Sequence, residues 1–342
     1  MKWAGKISAC VALITAITFL APAFSKADEL TDRLQEISVT IKSGGSFAQS
    51  QGSGTLFVRK TDAGDIAFVW TAAHVIRNVR TVEDVVDTSS GTTKKVVKFQ
   101  DVEIVQELTE EGRRIGEIKM DAEVIRYSDA DTGHDLALLR VRKKNFVPLK
   151  QSAVFYLDDK IPTAGTELYH VGSLLGQVGA NSLTNGIVSQ VGRVLKLGNS
   201  GVTFDQSNCA AFPGSSGGGV YLKKDGRYVG CLVRGGGETF NFYVPVRRMR
   251  DWAARAKIEF ALDQKAPVPS DEELTKLPIE DSGLPASIRQ EKKPSSDAGG
   301  KDPPAPAPPP EGRAFFNRIT SGWGGFDFTS SLFSPIQERI TP

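Results

Sequence analysis

Apolar and polar residues follow one another along this chain in short runs with a period of two, the pattern of strands with one buried face. Residues 37–42, Ile-Ser-Val-Thr-Ile-Lys, show it cleanly. Similar runs follow at 55–58, 66–70, 95–99, 102–106, 115–120, 123–126 and 136–141, with Gly, Asp and Ser between them. The turn-rich Gly52-Ser53-Gly54 leads into the second run. A second set covers 167–171, 185–191, 202–204, 218–222, 228–233 and 240–245. Short β-branched strands at this spacing predict an all-β barrel or sandwich. Helical patterning is sparse. Residues 29–36 suit a short helical turn, and 247–256 form a helix with Met249, Trp252, Ala256 and Phe260 on one face. That helix is expected to pack on the second set of strands and to carry no chemistry.

The two ends of the chain differ from this pattern. Residues 1–6 are a short basic start and 7–24 an uncharged apolar run, after which Ser25-Lys26-Ala27 offers small residues before Asp28. This predicts a signal peptide over 1–27 and a periplasmic or secreted product. If left uncleaved, the segment is barely long enough to anchor the chain in a membrane. From 263 the composition turns polar, punctuated by Pro267, Pro269, Pro278, Pro285, Pro294 and the run 303–310. Residues 263–342 therefore read as a proline-rich, largely disordered tail, leaving 28–262 as the folded domain. The tail's last part is aromatic (Phe315, Phe316, Trp323, Phe326, Phe328, Phe333), fit to dock on a partner or on the protein itself.

Charge adds exclusions. Forty-two basic against 40 acidic residues give a net charge of +2, which points neither to nucleic acid nor to an anionic membrane surface. Three cysteines and three histidines lack metal-ligand spacing, so neither a metal nor a cofactor is expected. Cys10 falls in the signal, and Cys209 and Cys231 can pair or lie buried as separate thiols.

The chemistry centres on residues 212–219, Phe-Pro-Gly-Ser-Ser-Gly-Gly-Gly, where Ser216 sits among glycines ahead of a strand. Glycines let the backbone approach a substrate carbonyl closely and aim N–H groups at its oxygen. Gly214-x-Ser216-x-Gly218 by itself suits two unrelated hydrolase folds. A serine nucleophile also needs a histidine to take its proton and a carboxylate to orient that histidine. An α/β-hydrolase needs the histidine after the serine, and none follows His170. A subtilisin-like order needs an aspartate before His74, and neither Asp62 nor Asp65 suits one. His74, after the strand-like 66–70, and Asp135, at the mouth of 136–141, precede Ser216 in the order His, Asp, Ser.

Thr71-Ala72-Ala73-His74, His134-Asp135-Leu136-Ala137-Leu138-Leu139 and Gly214-Ser215-Ser216-Gly217-Gly218 resemble the three signatures of trypsin-like serine proteases. Residues 52–57, 171–176, 184–189 and 242–246 resemble the bacterial HtrA/Deg branch. The resemblance, over 36–260, implies two six-stranded antiparallel β-barrels of chymotrypsin type, a C-terminal helix, and peptide-bond hydrolysis in the cleft between the barrels. It implies a catalytic triad of His74, Asp135 and Ser216, and an oxyanion hole from the N–H groups of Gly214 and Ser216. The primary substrate pocket would have its floor at Ala210 and its walls at Val233, Arg234, Gly235 and Phe242, with Arg234 placed to attract an acidic group. Substrates would be proteins or peptides. Two features depart from the branch: Ser215 stands where asparagine is usual, and 265–342 is too proline-rich for a PDZ domain. Two alternatives stay open: a catalytically silent binding or chaperone protein on the same fold, and a latent protease gated by its tail.

Overall fold

The computed structural model describes residues 26–44, 49–62, 64–86, 88, 91–110, 113–142, 151–197, 200–235 and 237–281. The apolar segment expected to be a signal, up to residue 25, and the aromatic tail from 282 lie outside the described residues.

Helix α1 (Lys26–Glu36) is followed by β1 (Ser38–Gly44), β2 (Gln49–Thr61) and β3 (Gly64–Thr71). A 3-10 turn over Ala73–Val79 leads to β4 (Arg80–Val86), β5 (Thr93–Phe99), β6 (Val102–Glu110), β7 (Arg113–Ser128) and β8 (Leu136–Val141). Six of these close an antiparallel barrel in the order β1-β2-β3-β8-β7-β6, while β4 and β5 form a hairpin outside it. Residues 95–99 thus pair with a strand that the sequence pattern did not reveal, because β4 runs exposed from Thr81 to Val86 and has no buried face to print a period. The expected strands 115–120 and 123–126 are one strand, β7, whose pairing slips by a bulge between Val124 and Arg126. Gly52-Ser53-Gly54 is not a turn but lies inside β2.

The second barrel contains β9 (Glu167–Leu174), β10 (Gly179–Leu197), β11 (Ser200–Ser207), β12 (Gly219–Leu222), β13 (Tyr228–Gly235) and β14 (Asn241–Pro245), closed as β10-β11-β14-β13-β12-β9. The all-β expectation and both six-stranded barrels are therefore realised. The first interior is apolar, with Ile41, Leu56, Val69 and Leu139 fully buried, each such side chain contributing about 1.5–3 kcal/mol. Phe57, Phe68 and Trp70 on the opposite strand faces pack on Phe155, Phe260 and Trp252. The second encloses Leu168, Val188, Val220 and Tyr243 beside the buried His170, while Tyr221 and Tyr228 on the opposite strand faces pack on Thr55 and Phe155.

Helix α2 (Val246–Ala256) packs on β13 and β14 as expected, and also reaches the first barrel. Trp252 lies 5.9 Å from Trp70, Trp70 Nε1 donates to Ala261 O at 3.1 Å, and Arg59 Nε donates to Phe260 O at 2.6 Å. The chain does not leave the surface at 263. It continues along the first barrel through α3 (Asp271–Lys276), whose capping box joins Ser270 and Glu273. Leu274 and Ile279 are buried, and Glu280 makes a two-bond pair with Arg80 at 2.8 and 2.9 Å. Prolines 267, 269 and 278 thus flank a capped turn of helix within a docked strap, and the packed chain runs to Asp281.

Candidate active site

Three segments meet at the junction of the barrels. The first carries His74, in the 3-10 turn that leaves β3. The second carries Asp135, which opens β8 in a left-handed conformation (φ 57°) and is 1 % exposed. His74 Nδ1 lies 3.0 and 3.1 Å from the two carboxylate oxygens, and the His74 N–H donates to Asp135 Oδ1 at 3.1 Å. With Nδ1 as the donor, Nε2 is left bare to accept a proton. Burial opposes the charge on Asp135, but His74, and after it Arg234, outweigh burial and hold the carboxyl below the usual range.

The loop that brings Asp135 there is held from several sides. Arg77 donates to Asp129 (3.1 Å) and Asp131 (2.7 Å), and Arg234 to Ala130 O (2.6 Å). Arg248 donates to His134 O at 3.3 Å and lies 3.2 Å from its Nδ1, while Arg255 lies 2.7 Å from its Nε2. Burial and then those two guanidiniums push the His134 imidazole down to about 4. His134 therefore stays neutral, facing away from Asp135's partner, and acts as structure.

The third segment is the glycine-rich loop. Its Ser215, Gly217 and Gly218 N–H groups donate to Phe212 O (2.9 Å), Leu232 O (2.7 Å) and Ser215 O (3.0 Å). Among the described residues, no protein acceptor takes the N–H of Gly214 or of Ser216. The Pro213 carbonyl accepts from Leu175 N–H at 2.7 Å. Because C=O and N–H of one trans peptide point opposite ways, that bond turns the Gly214 N–H away from Leu175. Gly214 has φ 96°, and a Cβ there would run into Ser173 O and the Gly176 N. Ser215 is fully buried and its hydroxyl accepts from Phe212 N–H at 3.1 Å, so this residue braces the loop with its side chain as well as its backbone.

Ser53, which sequence reasoning passed over as part of a turn, ties the glycine-rich loop to the first barrel. Its N–H donates to Ser216 O (2.7 Å), its hydroxyl donates to Gly214 O (2.6 Å) and accepts from Ser173 N–H (2.7 Å). Its carbonyl accepts from Thr71 Oγ1 at 2.7 Å. The flanking glycine is required: a Cβ on Gly52 would sit 2.5 Å from Val75 and 3.0 Å from Ser216 O. On the other side a Cβ on Gly217 would meet Thr71 Oγ1 and lie 3.0 Å from Ala72 N. Ser216 is thereby pressed against the segment that ends in His74. No hydrogen bond joins the Ser216 hydroxyl to His74 among the described residues; such bonds are often long before substrate binds.

The expected pocket residues lie on β13 (Val233, Arg234, Gly235), on β14 (Phe242) and just before the loop (Ala210). Ala210 O accepts from Thr184 Oγ1 at 2.9 Å, Val233 and Phe242 are buried, and Phe242 stacks edge-on with Phe240 at 5.1 Å. Gly235 ends β13 half-buried. Arg234 differs from expectation: its guanidinium is engaged by Ala130 O and lies 3.8 Å from Asp135, so its charge serves the aspartate loop. Cys209 and Cys231 are both buried and unpaired, and burial pushes both thiols up. Among the described residues no group of three His, Cys, Asp or Glu is placed to hold a metal ion.

Residues 52–231 match the trypsin-like peptidase domain family, more than half of the chain. Among solved structures, the serine endoprotease from Yersinia pestis is similar at 17 % identity and a TM-score of 0.46, over 70 % of this chain and 68 % of that one. Deg5 is similar at 18 % identity and a TM-score of 0.46, over 68 % of this chain and 92 % of that one. No curated protein matches the chain. Two closed six-stranded barrels and a family match that spans both of them give one conclusion: the chain belongs to the trypsin-like peptidases and is a serine protease.

Proposed function

We propose that this protein is an exported endopeptidase that cleaves unfolded proteins through an acyl-enzyme on Ser216. Ser216 Oγ attacks the scissile carbonyl while His74 Nε2 takes its proton, and the same proton later goes to the leaving amine. Asp135 keeps the His74 proton on Nδ1. The developing oxyanion is received by the N–H groups of Gly214 and Ser216. Water then repeats the sequence in reverse and frees the acid. The observation that carries this reading is the pairing of an oriented imidazole with two unclaimed amides on one loop.

Export rests on the basic start and apolar run of residues 1–24, and the folded catalytic unit extends from 28 through the strap to 281. No helix among the described residues is long and apolar enough to cross a membrane. Ala210 supplies no charge to the pocket floor and Arg234 is engaged elsewhere, which favours small or aliphatic side chains before the cleaved bond. A second reading, a binding protein on the same fold, draws on the missing Ser216–His74 hydrogen bond. It requires capture of unfolded chains without hydrolysis. The test is casein hydrolysis by the full chain and by Ser216→Ala. The proposal expects a rate loss on the order of 10⁶ with the fold unchanged by circular dichroism. Equal rates in the two proteins would overturn it.

A further inference from the structure

The strap after the second barrel ends on the loop that carries Asp135, and the contacts there form a continuous relay. Ser128 Oγ donates to Asp281 Oδ2 at 2.6 Å and accepts from the His134 N–H at 2.7 Å. Trp252 Nε1 donates to the same Asp281 oxygen at 3.1 Å. The strap is registered by its backbone: Tyr127 N–H donates to Ile279 O at 2.7 Å, and Tyr127 and Glu280 form a parallel bridge. The Arg80–Glu280 pair locks that register from the 3-10 turn's side. Ser128 is fully buried, and a Cβ on Gly133 would run into its hydroxyl, so the loop is closed tightly over this one side chain. His134 is the residue before Asp135, which has a left-handed φ of 57° and donates its own N–H to Asp129 O at 3.2 Å.

We propose that Asp281 and Ser128 are positioning residues for the triad, and that the strap over 263–281 is a working part of the active site. Asp281 fixes the rotamer of Ser128, Ser128 fixes the Gly133–His134 peptide through the His134 N–H, and the backbone so held aims the carboxylate of the next residue, Asp135, at His74 Nδ1. The strap lies outside residues 52–231, the part matched to the peptidase family. The inference rests on the reading of Asp135 as the group that orients His74.

The test uses the full chain carrying Asp281→Ala, Asp281→Asn or Ser128→Ala, with an aryl fluorophosphonate as probe. Asparagine keeps an oxygen that can accept from both Ser128 and Trp252, whereas alanine keeps none. Asp281→Ala and Ser128→Ala should lower the limiting rate of Ser216 phosphonylation about three- to tenfold, the effect of one lost buried hydrogen bond on the reacting geometry. The probe concentration at half-saturation should not move, and Asp281→Asn should react as the wild type does. A merely structural strap would instead leave the limiting rate of the folded fraction unchanged. A second readout does not need a reactive serine: the downfield proton resonance of His74 Nδ1–H should broaden in Asp281→Ala and stay sharp in Asp281→Asn. An unchanged resonance in Asp281→Ala, or equal losses in the Ala and Asn variants, would overturn the relay. An unreactive wild type with the resonance responding as expected would instead overturn the hydrolytic reading and leave the relay standing.

Discussion

Two loops carry Asp135 and Ser216 of the proposed triad, and they are held by different chemistry. Residues 128–135 are pinned by side chains: Arg77, Arg234 and Arg248 from three elements, and Ser128 with Asp281 from within and from the strap. Residues 212–218 are pinned mainly through the backbone, by Leu175, Leu232 and Ser53 around glycines that leave no room for a Cβ. The difference follows from what each loop must present. The first presents one carboxylate, which cationic neighbours can steer and stabilise at a distance. The second presents two bare N–H groups, and only peptide geometry can aim those. A side-chain clamp shares its load among several partners, so single losses should be partial. A backbone clamp depends on conformations open to glycine alone, so a single methyl group should distort it.

The comparison breaks most sharply at Asp135 itself. Asp135→Asn should keep the loop in place, because Arg77, Arg248 and Ser128 grip it at other groups and Arg234 still donates to Ala130 O, yet lower kcat by roughly 10⁴ by allowing the wrong His74 tautomer. KM for a peptide substrate should stay near its original value; a KM that rises with kcat unchanged would mean that the carboxylate supports substrate binding only. A smaller loss is expected at Gly214. Gly214→Ala forces a side chain against Ser173 O and into a φ of 96°, and should cost about 10² to 10³ in kcat by misaiming one oxyanion donor. Affinity for a peptide aldehyde, whose adduct places an oxyanion there, should fall in parallel. An unchanged aldehyde affinity would remove Gly214 from the oxyanion hole.

How far the sequence reveals these loops follows the same division. The backbone-held loop around the candidate nucleophile Ser216 was legible because glycines and a serine at fixed spacing are a backbone requirement written directly in residue types. The pairing of His74 with Asp135 was legible through chain order, since a candidate serine without a later histidine must look for its base upstream. The aspartate loop's clamps were not legible, because a side chain that bridges elements far apart in sequence leaves no local period. Arg234 showed this: adjacency to the pocket strand suggested substrate, but the folded chain turns it onto Ala130 and Asp135. Ser53 was hidden because glycine neighbours imitate a turn, when they instead make space for Val75 and the Ser216 carbonyl. The strap was hidden by its prolines, which suit a linker as well as they suit the flanks of a short capped helix. The barrels themselves were clearest where the strands are buried, as in β1 and β8, and least clear at the exposed strand β4.

The central claim is that His74, Asp135 and Ser216 act as one unit in the folded protein. Covalent labelling by a fluorophosphonate, located by mass spectrometry, addresses it most directly. The account predicts a single adduct on Ser216 that is lost on heat denaturation and is nearly absent in His74→Ala. Labelling of His74→Ala at the wild-type rate, or an adduct at another serine with Ser216 untouched, would contradict it.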